Sequence, residues 1–184
     1  MKLKLLFIFS IALFVFSCAD NKKTEKSEAK EKSSTEEKLT KEIIQTKIPT
    51  FNYEGLKPLL NKEDDKIHVI NFWATWCKPC VDELPYFEQL NKDYKTEGVE
   101  VTLVSLDFPN QIESQLIPFI EKNNLESKVV VLDDPKQNVW INAIDPSWSG
   151  SIPATIIYNK DKRAFYEQSF DAKTLKEALH KFLN

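Results

Sequence analysis

An α/β sandwich with a mixed central sheet is the fold class this sequence predicts, and three observations predict it. β-rich apolar runs alternate with segments of helical spacing from residue 66 onward. The last two such runs face each other across a short polar turn, and an amphipathic helix closes the chain.

The elements follow in order. Lys66 to Ala74 carries Ile67, Val69, Ile70, Phe72 and Trp73, an unbroken apolar run suited to a central strand. From Cys77 to about Tyr94 the apolar positions Val81, Leu84, Phe87 and Leu90 share one helix face. Pro85 lies inside that helix and is expected to kink it, since it lacks an N–H and crowds the preceding turn. Gly98 stops it, and Val99 to Leu106 reads as a second strand. Gln111 to Asn123 has helical spacing, Val129 to Leu132 is a short strand, and Pro135 to Ile144 is a further helix. Thr155 to Tyr158 and Arg163 to Glu167 form a hairpin around Asn159-Lys160-Asp161-Lys162. Asp171 caps a last helix whose inner face holds Leu175, Ala178, Leu179 and Phe182.

The chemistry concentrates in Cys77-Lys78-Pro79-Cys80. These are two of only three cysteines in the chain. Two thiols this close, on the first turn of a helix that follows a buried strand, can close a small disulfide ring and reopen it. Unsatisfied N–H groups and the positive helix end favour a thiolate at Cys77, below the free-thiol pKa of about 8.5. Lys78 adds a nearby cation, and Pro79 removes an N–H that the first helical turn does not need. Cys77 is the expected attacking thiol and Cys80 the more buried resolving thiol. The alternative is a static staple, although so short a ring constrains little of the unfolded chain.

The two ends of the chain differ from its middle. Lys2 and Lys4 precede an apolar run from Leu5 to Phe16, a length that suits an export signal better than a bilayer span. Ser17 stands just before Cys18, so residues 1–17 resemble a bacterial lipoprotein signal, which implies acylation of Cys18 and a lipid anchor. An ordinary cleaved signal and an uncleaved anchor are the alternatives. Residues 18–48 read as a disordered charged tether: from residue 19 they hold eight lysines against seven acidic residues, with no aromatic side chain. Residues 49–184, about 135 in all, are long enough for one core. A net charge of −3 without a basic stripe argues against nucleic acid as a partner.

Three segments together resemble the TlpA/ResA-like thiol–disulfide oxidoreductases of the thioredoxin superfamily. They are Asn71-Phe72-Trp73-Ala74-Thr75-Trp76-Cys77-Lys78-Pro79-Cys80, Glu83-Leu84-Pro85, and Gly150-Ser151-Ile152-Pro153-Ala154-Thr155. The resemblance spans Pro49 to Asn184 and implies a thioredoxin-like fold. It implies a redox-active Cys77–Cys80 disulfide and Glu83 as an acid that tunes the thiols and moves protons. Trp76 becomes a substrate-receiving rim, and Ile152-Pro153 a cis peptide bond facing the sulfurs and pairing with an extended substrate. Ordinary thioredoxins carry a buried aspartate where this chain has Asn71, which cannot take a proton, so assistance has to come from elsewhere. Glu83 as a surface acid near a helix start is the alternative reading of that residue.

The resemblance further implies a location in the cell envelope, facing the periplasm or extracytoplasmic space. The implied partners are envelope protein thiols and disulfides, apocytochrome c among them, and a membrane electron donor. Reduction of client disulfides is the expected direction; a disulfide-forming oxidase, a peroxiredoxin-like antioxidant and a non-enzymatic binding module are the alternatives. Val81 stands where c-type haem attachment needs histidine. Ile70 and Ala74 stand where a peroxidatic pattern needs Pro and Thr/Ser. No second CxxC or histidine pair offers a zinc set, so no metal and no cofactor are expected. His68 is expected to face outward beside the central strand, and Trp140 and Trp148 to pack in the core or line a groove. Asp133-Asp134-Pro135 reads as a strand end and helix start.

Overall fold

The computed structural model describes residues 48–183, and these form a six-stranded mixed sheet between helices. The expected signal peptide (residues 1–17), the lipidation site Cys18 and the tether up to residue 47 lie outside the described residues. The elements are β1 (Thr50–Phe51), α1 (Tyr53–Leu60), β2 (Ile67–Trp73), α2 (Lys78–Tyr94), β3 (Val99–Ser105), α3 (Ile117–Asn123), β4 (Lys128–Leu132), α4 (Gln137–Ile144), β5 (Ala154–Tyr158), β6 (Arg163–Tyr166) and α5 (Ala172–His180). The sheet order is β1-β4-β3-β2-β5-β6. Strands β1 to β4 run parallel, whereas β5 is antiparallel to β2 and to β6.

Strand β2 is buried along its whole length because both sheet faces are covered. Its period of two divides its side chains between two cores. Val69 and Trp73 pack with Leu84, Phe87 and Leu90 of α2 and Leu175 and Leu179 of α5. Ile70 and Phe72 pack with Leu56 and Leu60 of α1 and with Trp140, Ile144 and Trp148. The guanidinium of Arg163 donates to the carbonyls of Leu60 (3.0 Å) and Ile144 (3.1 Å), so one cation satisfies the last residues of both α1 and α4.

Two elements went unread in the sequence, and one residue is corrected. Strand β1 has two residues, too few for any periodicity, and α1 contains Gly55 and Pro58, which obscure a helix that Asn52 caps at Gly55 N (2.9 Å). His68 does not face outward: it is 2% exposed. A central strand covered on both faces has no outward side. The imidazole is accommodated instead by Asp64 Oδ1 at 2.7 Å, Glu100 Oε2 at 3.5 Å and stacking on Tyr158. The helical stretch from Gln111 is also less regular than its spacing suggests. A tight turn at Pro109–Gln111 and a wide turn at Ile112–Leu116 precede α3, whose Pro118 has no N–H to continue the ordinary ladder backwards.

Candidate active site

Everything of chemical interest gathers where β2 ends and α2 begins. Cys77 is the N-cap of α2, and its Sγ accepts a hydrogen bond from Cys80 N at 3.3 Å. The two cysteines form a disulfide within this turn. Cys80 is fully buried, while Cys77 retains a small accessible surface, 6% of its maximum. Cys80 is the more buried of the two, as the sequence reading expects.

Antiparallel pairing delivers the second component. Because β5 runs against β2, its first residue Ala154 lies opposite Phe72, near the end of β2. The Ile152-Pro153 bond just before it is cis, as the sequence reading expects. The carbonyl oxygen of Ile152 lies 3.7 Å from Cys77 Sγ. The loop leading there is held from both sides. Trp148 Nε1 donates to Ser151 O at 2.8 Å, and the Glu167 carboxylate accepts from Ser149 N and Ser151 N (3.1 and 3.0 Å) and from the Ser149 hydroxyl. Gly150 sits between them at φ +94°, a conformation that L side chains rarely adopt. Trp140 and Trp148 are buried against each other, so they are core, and Trp148 additionally anchors this loop.

Glu83 lies one turn along from Cys80 and is only 1% exposed, so it is not a surface acid. Its Oε1 accepts from Asn71 Nδ2 (2.9 Å) and its Oε2 from Phe170 N (2.7 Å). The other Asn71 N–H reaches Thr155 Oγ1 at 3.1 Å. Burial pushes the Glu83 carboxyl up to about 7, against the lowering effect of its two hydrogen bonds. A buried acid that exchanges its proton near neutrality, beside a dithiol, can act as a proton store. Lys78, by contrast, points outward and pairs with Asp82 at 2.8 Å.

Trp76 is half exposed beside Cys77 and stacks near-parallel on Phe108, with ring centroids 6.3 Å apart. The loop that carries Phe108 is fixed by its neighbour. Buried Asp107 accepts from Thr75 N (3.1 Å), Thr75 Oγ1 (2.5 Å) and Ser105 Oγ (2.8 Å). Sequence reasoning missed Asp107, Phe108 and Glu167. The available signal was weak: an acid directly after an apolar strand, in Ser105-Leu106-Asp107. Asp134 accepts from Tyr53 N and Lys136 N, which agrees with the strand-end, helix-start reading of that segment. Among the described residues no cluster of three or more His, Cys, Asp or Glu side chains is arranged to hold a metal.

Comparison with known proteins places this geometry among redox proteins. The AhpC/TSA family matches residues 44–164. The thiol–disulfide oxidoreductase ResA of Bacillus thuringiensis is 32% identical over 143 residues, covering 76% of this chain and 76% of that protein. ResA of Bacillus cereus is 29% identical over 153 residues, covering 82% and 80%. The match to ResA of Oceanobacillus iheyensis is tighter but shorter, 37% over 79 residues, or 43% of this chain and 36% of that protein. Among solved structures, a thioredoxin-family thiol:disulfide interchange protein from Chlorobium tepidum superposes with a TM-score of 0.56 at 16% identity. That superposition covers 74% of this chain and 95% of the other, and the likeness is one of fold.

Proposed function

Because the chain belongs to the AhpC/TSA family and is, like its ResA relatives, a protein-disulfide oxidoreductase of the thioredoxin fold, we propose that it works outside the cytoplasm as a reductant of disulfides in envelope proteins. In this reading Cys18 carries a lipid, residues 18–48 give reach from the membrane, and residues 49–184 do the chemistry.

The cycle starts from the reduced pair. The Cys77 thiolate attacks one sulfur of a client disulfide; that S–S bond breaks, a mixed disulfide forms at Cys77, and one client thiolate leaves. Cys80 gives up its proton and attacks Cys77 Sγ, releasing the second client thiolate and closing the Cys77–Cys80 disulfide. Two electrons have passed to the client. A dithiol electron donor in the membrane resets the pair by the reverse exchange. Glu83, one turn from Cys80, takes up the proton that Cys80 sheds and returns it when the pair is reset. Trp76 borders the entering client, and the backbone around Ile152-Pro153 aligns its extended chain as a short added strand.

The observation that supports the reducing direction is that, beyond the helix start itself, few groups are placed to stabilise a thiolate at Cys77. Strong oxidants owe their potential to a stabilised reduced form. Here Cys77 Sγ accepts one backbone N–H, the ammonium of the adjacent Lys78 is paired with Asp82, and the buried carboxyl of Glu83 lies one turn beyond Cys80. Apocytochrome c fits as a client because its paired cysteines must be reduced to be useful.

Trapping tests the reading as a whole. A Cys80→Ala chain is expected to accumulate mixed disulfides at Cys77 with envelope proteins, recovered in the membrane fraction. Adding Cys18→Ser is expected to move those adducts to the soluble fraction. No adducts would remove the client-reducing role, and adducts that stay membrane-bound without Cys18 would remove the lipid anchor.

A further inference from the structure

We propose that Glu167 is a positioning residue of the redox reaction: its carboxylate fixes the loop of residues 149–151 and so sets where the Ile152 carbonyl stands when a client chain docks beside Cys77. Resting on the oxidoreductase reading above, this names a residue that acts through the loop rather than by touching the sulfurs.

Register brings the residue to the loop. Tyr166 pairs with Thr155 across the β5–β6 ladder, so Glu167, one residue on, comes level with the entry to β5. Residues 149–152 lead into that same entry, and Ile152 O stands 3.7 Å from Cys77 Sγ. The antiparallel pair thus delivers a carboxylate to Ser149 and Ser151, which lie 18 and 16 residues away in sequence.

The contacts show what the carboxylate does there. It reaches both sides of Gly150, accepting from Ser149 N at 3.1 Å, from Ser151 N at 3.0 Å and from the Ser149 hydroxyl. Backbone N–H groups that converge in this way make an anion site, and here the chain fills it with its own anion. The hydrogen bonds of Glu167 among the described residues all go to these two serines, and none of its partners is a cation. The donors, the Ser149 hydroxyl foremost, hold the carboxyl below the usual glutamate range, so it is charged near neutrality. Ser151 is gripped at both ends: Trp148 Nε1 donates to its carbonyl at 2.8 Å, while Glu167 takes its N–H. Ile152 follows directly. Gly150 suits the grip, since a Cβ there would stand 3.0 Å from Ile141 Cδ1 of α4 at a φ of +94°. A neutral amide cannot do the same work. Glutamine at this position has one acceptor oxygen, and its NH2 group would face a backbone N–H that needs an acceptor.

Glu167→Gln in the full chain tests this. The rate of reduction is read against concentration for a disulfide-bonded peptide and for mercaptoethanol disulfide, which has no backbone to pair with Ile152. The variant is expected to need about tenfold more peptide to reach half its limiting rate, while that limiting rate and the rate on the small disulfide stay within about twofold of the parent chain. Ser149→Ala removes one donor to the same carboxylate and should raise the half-saturating concentration less, about threefold. The double variant should fall short of the product of the two effects, because both act through one contact. Rates that drop alike for peptide and small disulfide would mean a general loss of structure, and an unchanged half-saturating concentration would mean that the loop does not need the carboxylate. Either result overturns the assignment. So do two effects that multiply in full, since the side chains would then act apart. If the parent chain reduces neither compound, the oxidoreductase reading itself fails, and this inference with it.

Discussion

Substituting Cys77 by serine is expected to lower the rate of protein-disulfide reduction by about a thousandfold or more, whereas Cys80→Ala leaves the first attack largely intact. The asymmetry follows from exposure and from what each sulfur touches. A hydroxyl at position 77 is not ionised near neutrality and does not displace a disulfide sulfur, so the helix start has no nucleophile to stabilise. Cys80 cannot substitute, because it is fully buried behind the first turn. With Cys80 gone, Cys77 retains its N-cap position, its place 3.7 Å from Ile152 O and its edge of accessible surface, so attack proceeds and resolution stops. Rapid-quench alkylation of the two variants against a disulfide peptide separates the steps. Cys77→Ser should show neither product nor adduct, and Cys80→Ala should show one equivalent of adduct formed at close to the parent rate. Adduct formation by Cys77→Ser would reverse the assignment of the two sulfurs.

The second large effect concerns Glu83. Its carboxyl titrates near 7 in the folded chain, against 4.5 for an ordinary glutamate, and burial is the cause. Between those two values the folded chain holds a proton that the unfolded chain has released. Rising pH therefore favours unfolding across this window, and the loss levels off above about 7. The shift corresponds to about 2–3 kcal/mol of stability lost between pH 4.5 and pH 8. Glu83→Gln removes the titration and can keep the hydrogen bonds. Gln accepts from Phe170 N as Glu does, and if the Asn71 amide turns over, its Oδ1 accepts from the new amide. Urea unfolding of the oxidised proteins at pH 5 and pH 8 should show the difference between the variant and the parent chain moving by that amount in the variant's favour. The same substitution should erase an inflection near pH 7 in the rate at which Cys80 resolves a mixed disulfide. Parallel pH profiles would mean that Glu83 neither stores a proton nor carries a burial penalty.

How legible these features were depends on how local their causes are. Strand β2, helix α2 and the closing helix α5 each follow from a periodic apolar pattern with a clear start, Cys77 or Asp171, and all were readable before the structure. The Ile152-Pro153 bond was readable only through resemblance, since no local pattern distinguishes a cis proline. The burial of Glu83 was not local at all. It depends on Asn71 from β2 and on the Phe170 backbone, 12 and 87 residues away in sequence. Asp107 and Glu167 escaped for the same reason: each is an ordinary acid in the sequence, and its importance comes from loop N–H groups that the fold brings to it. His68 was misplaced because a polar residue on a strand suggests an outward face, which a strand covered on both sides does not have. The chemistry of the site was written in the motif. The scaffold that aims it was written in long-range contacts.

A pair that donates electrons to client disulfides must itself have a low reduction potential, and that of Cys77–Cys80 can be measured. Equilibrating the protein with thiol buffers of known poise and counting free thiols by mass gives the value. A single two-electron transition more negative than about −200 mV, toward the roughly −270 mV of a general protein reductant, is the predicted result. A transition above about −150 mV, near the roughly −120 mV of a strong disulfide-forming oxidant, would mean that the pair withdraws electrons from its clients instead.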